Sequence, residues 1–224
     1  MQKIIYLLLS IFMLSCGPNE KTVKKNQETQ VMELFNQGVQ SSLQGVEANK
    51  KGQFDEAKKL NLEAIEAFKK VLEIAPSHKL SISAIGHSYY EVQDFTQAKS
   101  WFEKAIALDP SFAANHLEYG FSLLNLGMLP EGRAAINKAL ELDKSPEARD
   151  QAVLSLFDIA AVAYEQGVGL SVEGNDAEAL KYKEYAVGVL LTANQLDSTE
   201  QEIVAKIRLI ANDLGDKDLE KAFK

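Results

Sequence analysis

The chain has 224 residues, 46% hydrophobic and 25% charged, which is enough for one ordinary core or one short solenoid and too little for two independent domains. Its 32 acidic and 24 basic residues leave a formal charge of −8, which repels a phosphate backbone and argues against a nucleic-acid partner. Five prolines and no alternating β-branched runs indicate an all-α protein, and the single cysteine, Cys16, excludes an intramolecular disulfide or a thiolate metal cluster.

Lys3 followed by the apolar run Ile4 to Leu14 reads as the core of a signal peptide, because eleven residues are too few to cross a bilayer as a helix. The sequence Phe12-Met13-Leu14-Ser15-Cys16-Gly17 resembles a bacterial lipobox, although Met13 and Leu14 depart from its usual residues. The resemblance implies cleavage after Ser15 and acyl chains such as palmitate on Cys16, which then hold the protein on a membrane. Gly17 after the cysteine implies outer-membrane sorting, with the periplasmic or surface face open. From the residues alone, an ordinary cleaved signal or an uncleaved anchor remain alternatives. Residues 17–30 are polar, have no amphipathic stripe and read as a flexible tether reaching about 20 Å.

Two helices are expected next, near 31–50 and 54–75, followed by the most regular unit of the chain, 79–112. Within that unit Ile82, Ile85, Gly86, Tyr89, Ala98, Phe102, Ala105 and Pro110 fall at offsets 4, 7, 8, 11, 20, 24, 27 and 32. Large residues recur one turn apart, Gly86 faces small Ala98 where two helices cross closely, Gln93-Asp94 makes the turn and Pro110 stops the second helix. The pattern resembles the tetratricopeptide repeat. This implies a right-handed solenoid of helix-turn-helix units with a groove along the first helices.

On the same offsets, 31–78 is a first repeat in which Gly45 and Gly52 fit from the front and Phe68 and Val71 fit from the back. The two counts agree if the second helix is seven residues, roughly 10 Å, longer than standard. A third repeat, 113–146, carries Gly120, Gly127, Gly132 and Ala139, with Pro130 in the first turn of its second helix. Residues 147–198 form a divergent fourth repeat, again with a lengthened second helix and with Gly167 and Gly169 as weak points in its first. A capping box at Thr199-Glu200-Gln201-Glu202 then opens an amphipathic helix through Ile203, Ile207, Ile210 and Leu214, which would close the solenoid before a short tail.

No constellation for catalysis is found: no HExxH, no phosphate-binding glycine loop and no metal set, so neither an enzyme nor a cofactor is expected. His78 at a repeat junction and His116 at a packing offset read as structural. Offsets 2, 5, 9, 12 and 13 line the implied groove, and its central patch is His87, Tyr90, Glu91, Leu117, Phe121, Leu124 and Asn125, a surface suited to a helix or extended peptide unless the chain's own segments cover it. The Lys and Asn with which related domains clamp acidic chaperone tails are replaced by Ser42 and Val46. The expected function is a noncatalytic membrane-tethered scaffold or adaptor for another cell-envelope protein. The alternative is an envelope protein that binds a small ligand or glycan in an enclosed apolar pocket. Partner identity, pathway and oligomeric state are not written in the sequence.

Overall fold

A computed structural model describes residues 20–223, so the expected signal segment and Cys16 lie outside the described residues. Among the described residues ten helices follow one another: α1 (Glu20–Lys50), α2 (Phe54–Ile74), α3 (Lys79–Glu91), α4 (Phe95–Leu108), α5 (Ala113–Asn125), α6 (Leu129–Leu142), α7 (Pro146–Val172), α8 (Asp176–Leu196), α9 (Gln201–Leu214) and α10 (Lys217–Ala222). There is no strand among the described residues. The first eight helices form four antiparallel hairpins stacked side by side, and α9 covers the outer face of α8.

One close crossing recurs in every hairpin. A Cβ added at Gly45, Gly86, Gly120 or Gly167 would meet the side chain sixteen residues later, Asn61, Phe102, Ile136 or Lys183, at 2.6, 2.9, 2.7 or 2.9 Å. Only glycine allows that approach, which brings the two helix axes together. At the crossing of α5 and α6 two glycines face each other, since a Cβ on either Gly120 or Gly132 would stand 3.0 Å from the other's carbonyl oxygen. Seven residues beyond each crossing the chain turns on a left-handed residue: Gly52, Gln93, Gly127 and Gly174 have φ of 72°, 63°, 77° and 81°.

The outer hairpins are longer than the inner ones. Helices α2 and α8 have 21 residues each, against 14 in α4 and α6. The constant distance from crossing to turn places the extra turns at the open end of each hairpin. There a second crossing forms in the first hairpin, where a Cβ on Gly38 would meet the Phe68 ring at 2.5 Å. Phe68, Ile65 and Ile85 build a small core with Phe35 and Trp101, while the main core runs from Leu117 in α5 through Leu156 and Leu190 to Ile207 in α9.

Two expectations are corrected. The stretch expected to be flexible through Gln30 is helical from Glu20, and residues 23–30 are exposed. Glu, Lys and Gln with no glycine or proline between residues 20 and 37 extend an already nucleated helix at little cost, so the missing amphipathic stripe marked an exposed helix rather than a coil. The capping box at Thr199 does not form either. The Thr199 hydroxyl donates to Asp197 at 2.6 Å, and Glu200 caps α9 by accepting from the Glu202 N–H at 3.3 Å. The same Asx turn ends α4 and α6, where Asp109 accepts from the Ser111 N–H and hydroxyl and Asp143 accepts from the Ser145 N–H.

Gly167 and Gly169 do not break α7, and they separate two effects of glycine. A Cβ at Gly169 meets nothing within 4 Å. Gly120→Ala should cost at least about 2 kcal/mol by forcing two backbones apart, whereas Gly169→Ala should stabilise by up to about 1 kcal/mol through helix propensity. Urea unfolding followed by circular dichroism measures both, and equal effects would exclude a tight crossing at Gly120.

Candidate functional site

Helices α3 and α5 carry the expected groove residues, and the structure divides them into two sets. His87, Tyr90, Glu91 and Asn125 are partly exposed on one face. Leu117, Phe121 and Leu124 are not available there, with exposures of only 5%, 3% and 1%. They belong to the main core, packed with Ala152, Leu156, Ile159 and Ala163 of α7. The first half of α7 lies along α5 and fills the apolar centre of the expected groove. The other histidines are structural. His78 caps α3 by accepting the Ser81 N–H at 3.2 Å, and His116 sits 2.9 Å from the Pro110 carbonyl.

Polar contacts organise the exposed set. His87 Nδ1 lies 2.8 Å from Glu118 Oε2 across α3 and α5. Asn125 donates to the Phe121 carbonyl at 2.9 Å and to the Tyr90 hydroxyl at 3.4 Å, and the Tyr90 ring meets Phe95 edge-on at 5.4 Å. Burial alone would lower the His87 pKa, but the hydrogen bond and charge of Glu118, with Glu91 nearby, raise it to about 8. Burial pushes the Tyr90 phenol up to about 12, opposed by the Asn125 hydrogen bond and reinforced by the charges of Glu91, Glu118 and Asp158.

Beside this face lies a cleft of about 480 Å³ that the groove offsets did not predict. Its floor is the turns of the second and third hairpins, with Gln93, Phe95, Leu124, Asn125 and Gly127. Its wall is the upper part of the fourth hairpin, with Ile159, Val162 and Gln166 on α7 and Tyr182 and Tyr185 on α8. The wall exists because α8 passes the third turn well along its length. A Cβ at Gly188 would meet Leu129 at 2.6 Å, and the Tyr185 hydroxyl donates to the Leu124 carbonyl. The nine residues 176–184 therefore stand about 13 Å above that turn. The first hairpin is lengthened in the same way on the opposite flank, so two tall hairpins enclose two short ones.

Gln93 is the exceptional residue of the floor. It occupies the left-handed position that glycine holds in the other three turns, and it is an exposed residue at the lining of the cleft. A non-glycine residue there costs roughly 1–2 kcal/mol. The sequence signal for the cleft was the seven-residue excess in α8 together with a glutamine at offset 15. Among the described residues no group of three His, Cys, Asp or Glu side chains is arranged to hold a metal ion.

The raised His87 pKa gives a signed pH dependence. The stabilisation from the His87–Glu118 pair is complete below the ordinary histidine pKa of 6.5 and is lost as pH rises through about 8. The His87 side chain is 39% exposed, so screening limits the loss to under about 1 kcal/mol. Titration of the imidazole by NMR should give a midpoint near 8 in the wild type and a clearly lower one in Glu118→Gln, where only the charge of Glu91 still opposes burial. A wild-type midpoint at the ordinary value would rule out the pairing.

Comparison with known proteins agrees with the crossing pattern. Residues 81–112 match the family model of the tetratricopeptide repeat. The chain is 31% identical over 102 residues to the tetratricopeptide repeat protein 30 homolog of Aedes aegypti, an alignment that covers 46% of this chain and 14% of that protein. It thus spans a small part of the length of this curated relative. Among solved structures, the MamA protein is similar at 18% identity and a TM-score of 0.49 over 87% of each chain. The first tetratricopeptide domain of Spaghetti (RPAP3), bound to an HSP90 peptide, is similar at 21% identity and a TM-score of 0.41 over 54% of this chain and 91% of that one. With its glycine crossing, left-handed turn and terminal Asx turn in register, the stretch 81–112 is the part of this all-helical solenoid that matches the tetratricopeptide repeat.

Proposed function

We propose that the protein is a noncatalytic adaptor that docks a segment of another cell-envelope protein in the cleft between the second and third turns and the α7–α8 hairpin. The observation that carries this reading is Gln93, a residue held in a strained backbone conformation whose side chain lines an aromatic, solvent-open cleft. Val162 on the wall is 54% exposed, an apolar side chain left uncovered beside Tyr182 and Tyr185. The peptide held by the Spaghetti domain is a precedent for that domain alone. Location rests on the lipobox resemblance: acyl chains on Cys16 would tether the protein to the outer membrane. Helix α1 would then serve as a spacer, since Phe35 stacks 5.2 Å from His78 at the second hairpin's start and the fifteen residues 20–34 extend about 22 Å beyond it.

A cleft of this volume also lies within the range of small-molecule sites, so the competing reading is a small ligand or glycan. A pull-down from detergent-solubilised envelopes separates the two. Val162→Arg places a charge in the cleft, and Gln93→Gly removes the side chain while relieving the turn, so both variants should fold. Recovery of the partner is expected to fall at least about tenfold in each, and undiminished recovery from both would exclude docking in the cleft. Cys16→Ala should move the protein from the membrane pellet to the soluble fraction, and retention in the pellet would dismiss the lipid anchor.

A further inference from the structure

The charge beside the cleft selects among partner segments. Tyr90 joins the two regions, since it packs on Phe95 and bonds to Asn125, both of which line the cleft. The charges that act on its hydroxyl are Glu91 from α3, Glu118 from α5 and Asp158 from α7, and each is a carboxylate. His87 faces them and is held by Glu118 at 2.8 Å, so even with the imidazole protonated the carboxylates around Tyr90 outnumber it. On the wall, Lys181 is paired with Glu178 at 3.2 Å and contributes no net charge. The cleft thus has apolar and aromatic side chains, Phe95, Ile159, Val162, Tyr182 and Tyr185, among the amides of Gln93, Asn125 and Gln166, and the carboxylates that act on Tyr90 lie beside this lining rather than in it. An acidic segment would bring like charges together, whereas a cationic one would meet carboxylates carried on three different helices, one of them, Glu118, held by His87.

Resting on the docking reading above, we infer that the cleft takes a basic segment of a partner protein, in which a large apolar side chain flanked by Lys or Arg enters between Phe95, Ile159 and Val162 while the cations face Glu91, Glu118 and Asp158. The carboxylates give orientation and association rate, and the apolar side chain gives residence. Selectivity by charge should therefore be sensitive to salt, and occupancy should be sensitive to the wall.

The test uses the full chain in detergent and three fluorescein-labelled peptides that share a central Leu-Phe pair, flanked on each side by two lysines, two glutamines or two glutamates. Binding is read by fluorescence anisotropy at about 50 mM and about 300 mM salt. The lysine peptide should bind at least about tenfold more tightly than the glutamine peptide, with the glutamate peptide weakest. That order should flatten at high salt and in the double variant Glu91→Gln, Asp158→Asn, and Val162→Arg should weaken all three peptides. Thermal melts confirm that the variants fold. Equal binding of the three peptides, abolished by Val162→Arg, would overturn charge selection while leaving the cleft as a docking site, and so would a preference for glutamate. Lysine-peptide binding that survives Val162→Arg would be general attraction to an acidic protein and would also overturn the inference. If no peptide binds, the basic-segment inference falls, and docking is then decided by the pull-down alone.

Discussion

The approach of two helices at one glycine in each hairpin is the contact on which the rest of the structure depends. At Gly86 the Phe102 ring occupies the space a methyl group would take, and at Gly120 the opposing element is the Gly132 backbone itself. Because each turn comes seven residues after its crossing, a hairpin can be lengthened only at its open end without losing register. Seven added residues are about two turns, so the facing side is kept. In the long hairpins the residue opposite the glycine is polar, Asn61 or Lys183, while further along the first has a second crossing at Gly38 and Phe68 and the fourth buries Ala160 and Leu190 completely. Apolar packing has moved two turns along, and the original crossing has become an upper contact that tolerates polarity.

That shift explains why α9 is needed. Helix α8 extends beyond what α6 can cover, and Ile203, Ile207 and Ile210 of α9 bury its outer face. Near the end of α9, Asp213 meets Lys183 at 2.9 Å and accepts from the Tyr164 hydroxyl at 3.2 Å, so the lysine at the crossing is paired where it would otherwise be buried alone. The cost of a polar crossing in α7–α8 is offset by the helix that caps it. Among the described residues no such helix lies outside the first hairpin. Asn61 instead turns back to donate to the Ala57 carbonyl at 3.0 Å, leaving its own oxygen without a partner.

Repeat offsets, helix pairs, their unequal lengths and the closing helix could be read from glycines, turn residues and the Leu-Asp endings, because each is fixed by local geometry. The state of Leu117, Phe121 and Leu124 could not. An apolar residue at a groove offset looks the same whether it faces solvent or the next hairpin. The difference is set by where α7 starts, which depends on the Asp143–Ser145 turn and on the Ser145 oxygen that caps Ala148 at 3.2 Å. Thr199 was misread for a related reason: the Asx turn that closes α8 ties its N–H and hydroxyl to Asp197, and α9 takes the next residue, Glu200, as its cap. Gly38 escaped notice because its partner, Phe68, is thirty residues away and belongs to the second crossing rather than the first.

Gln93 shows how the same constraints generate a site. A turn in this fold needs a left-handed residue seven positions after the crossing, and the backbone bonds that define it, Gln93 N–H to the Tyr90 carbonyl at 2.9 Å and Asp94 N–H to the Tyr89 carbonyl at 2.9 Å, are made whatever the side chain. Asp94 then caps α4 by accepting from the Gln97 N–H at 3.1 Å, which fixes the turn from its other side. Glycine would satisfy all of this with less strain, as it does in the other three turns. A glutamine there adds only what its side chain does, and that side chain lies on the cleft floor below the overhanging α7–α8 hairpin. The turn fixes its backbone in a left-handed conformation at a cost in stability that glycine would avoid.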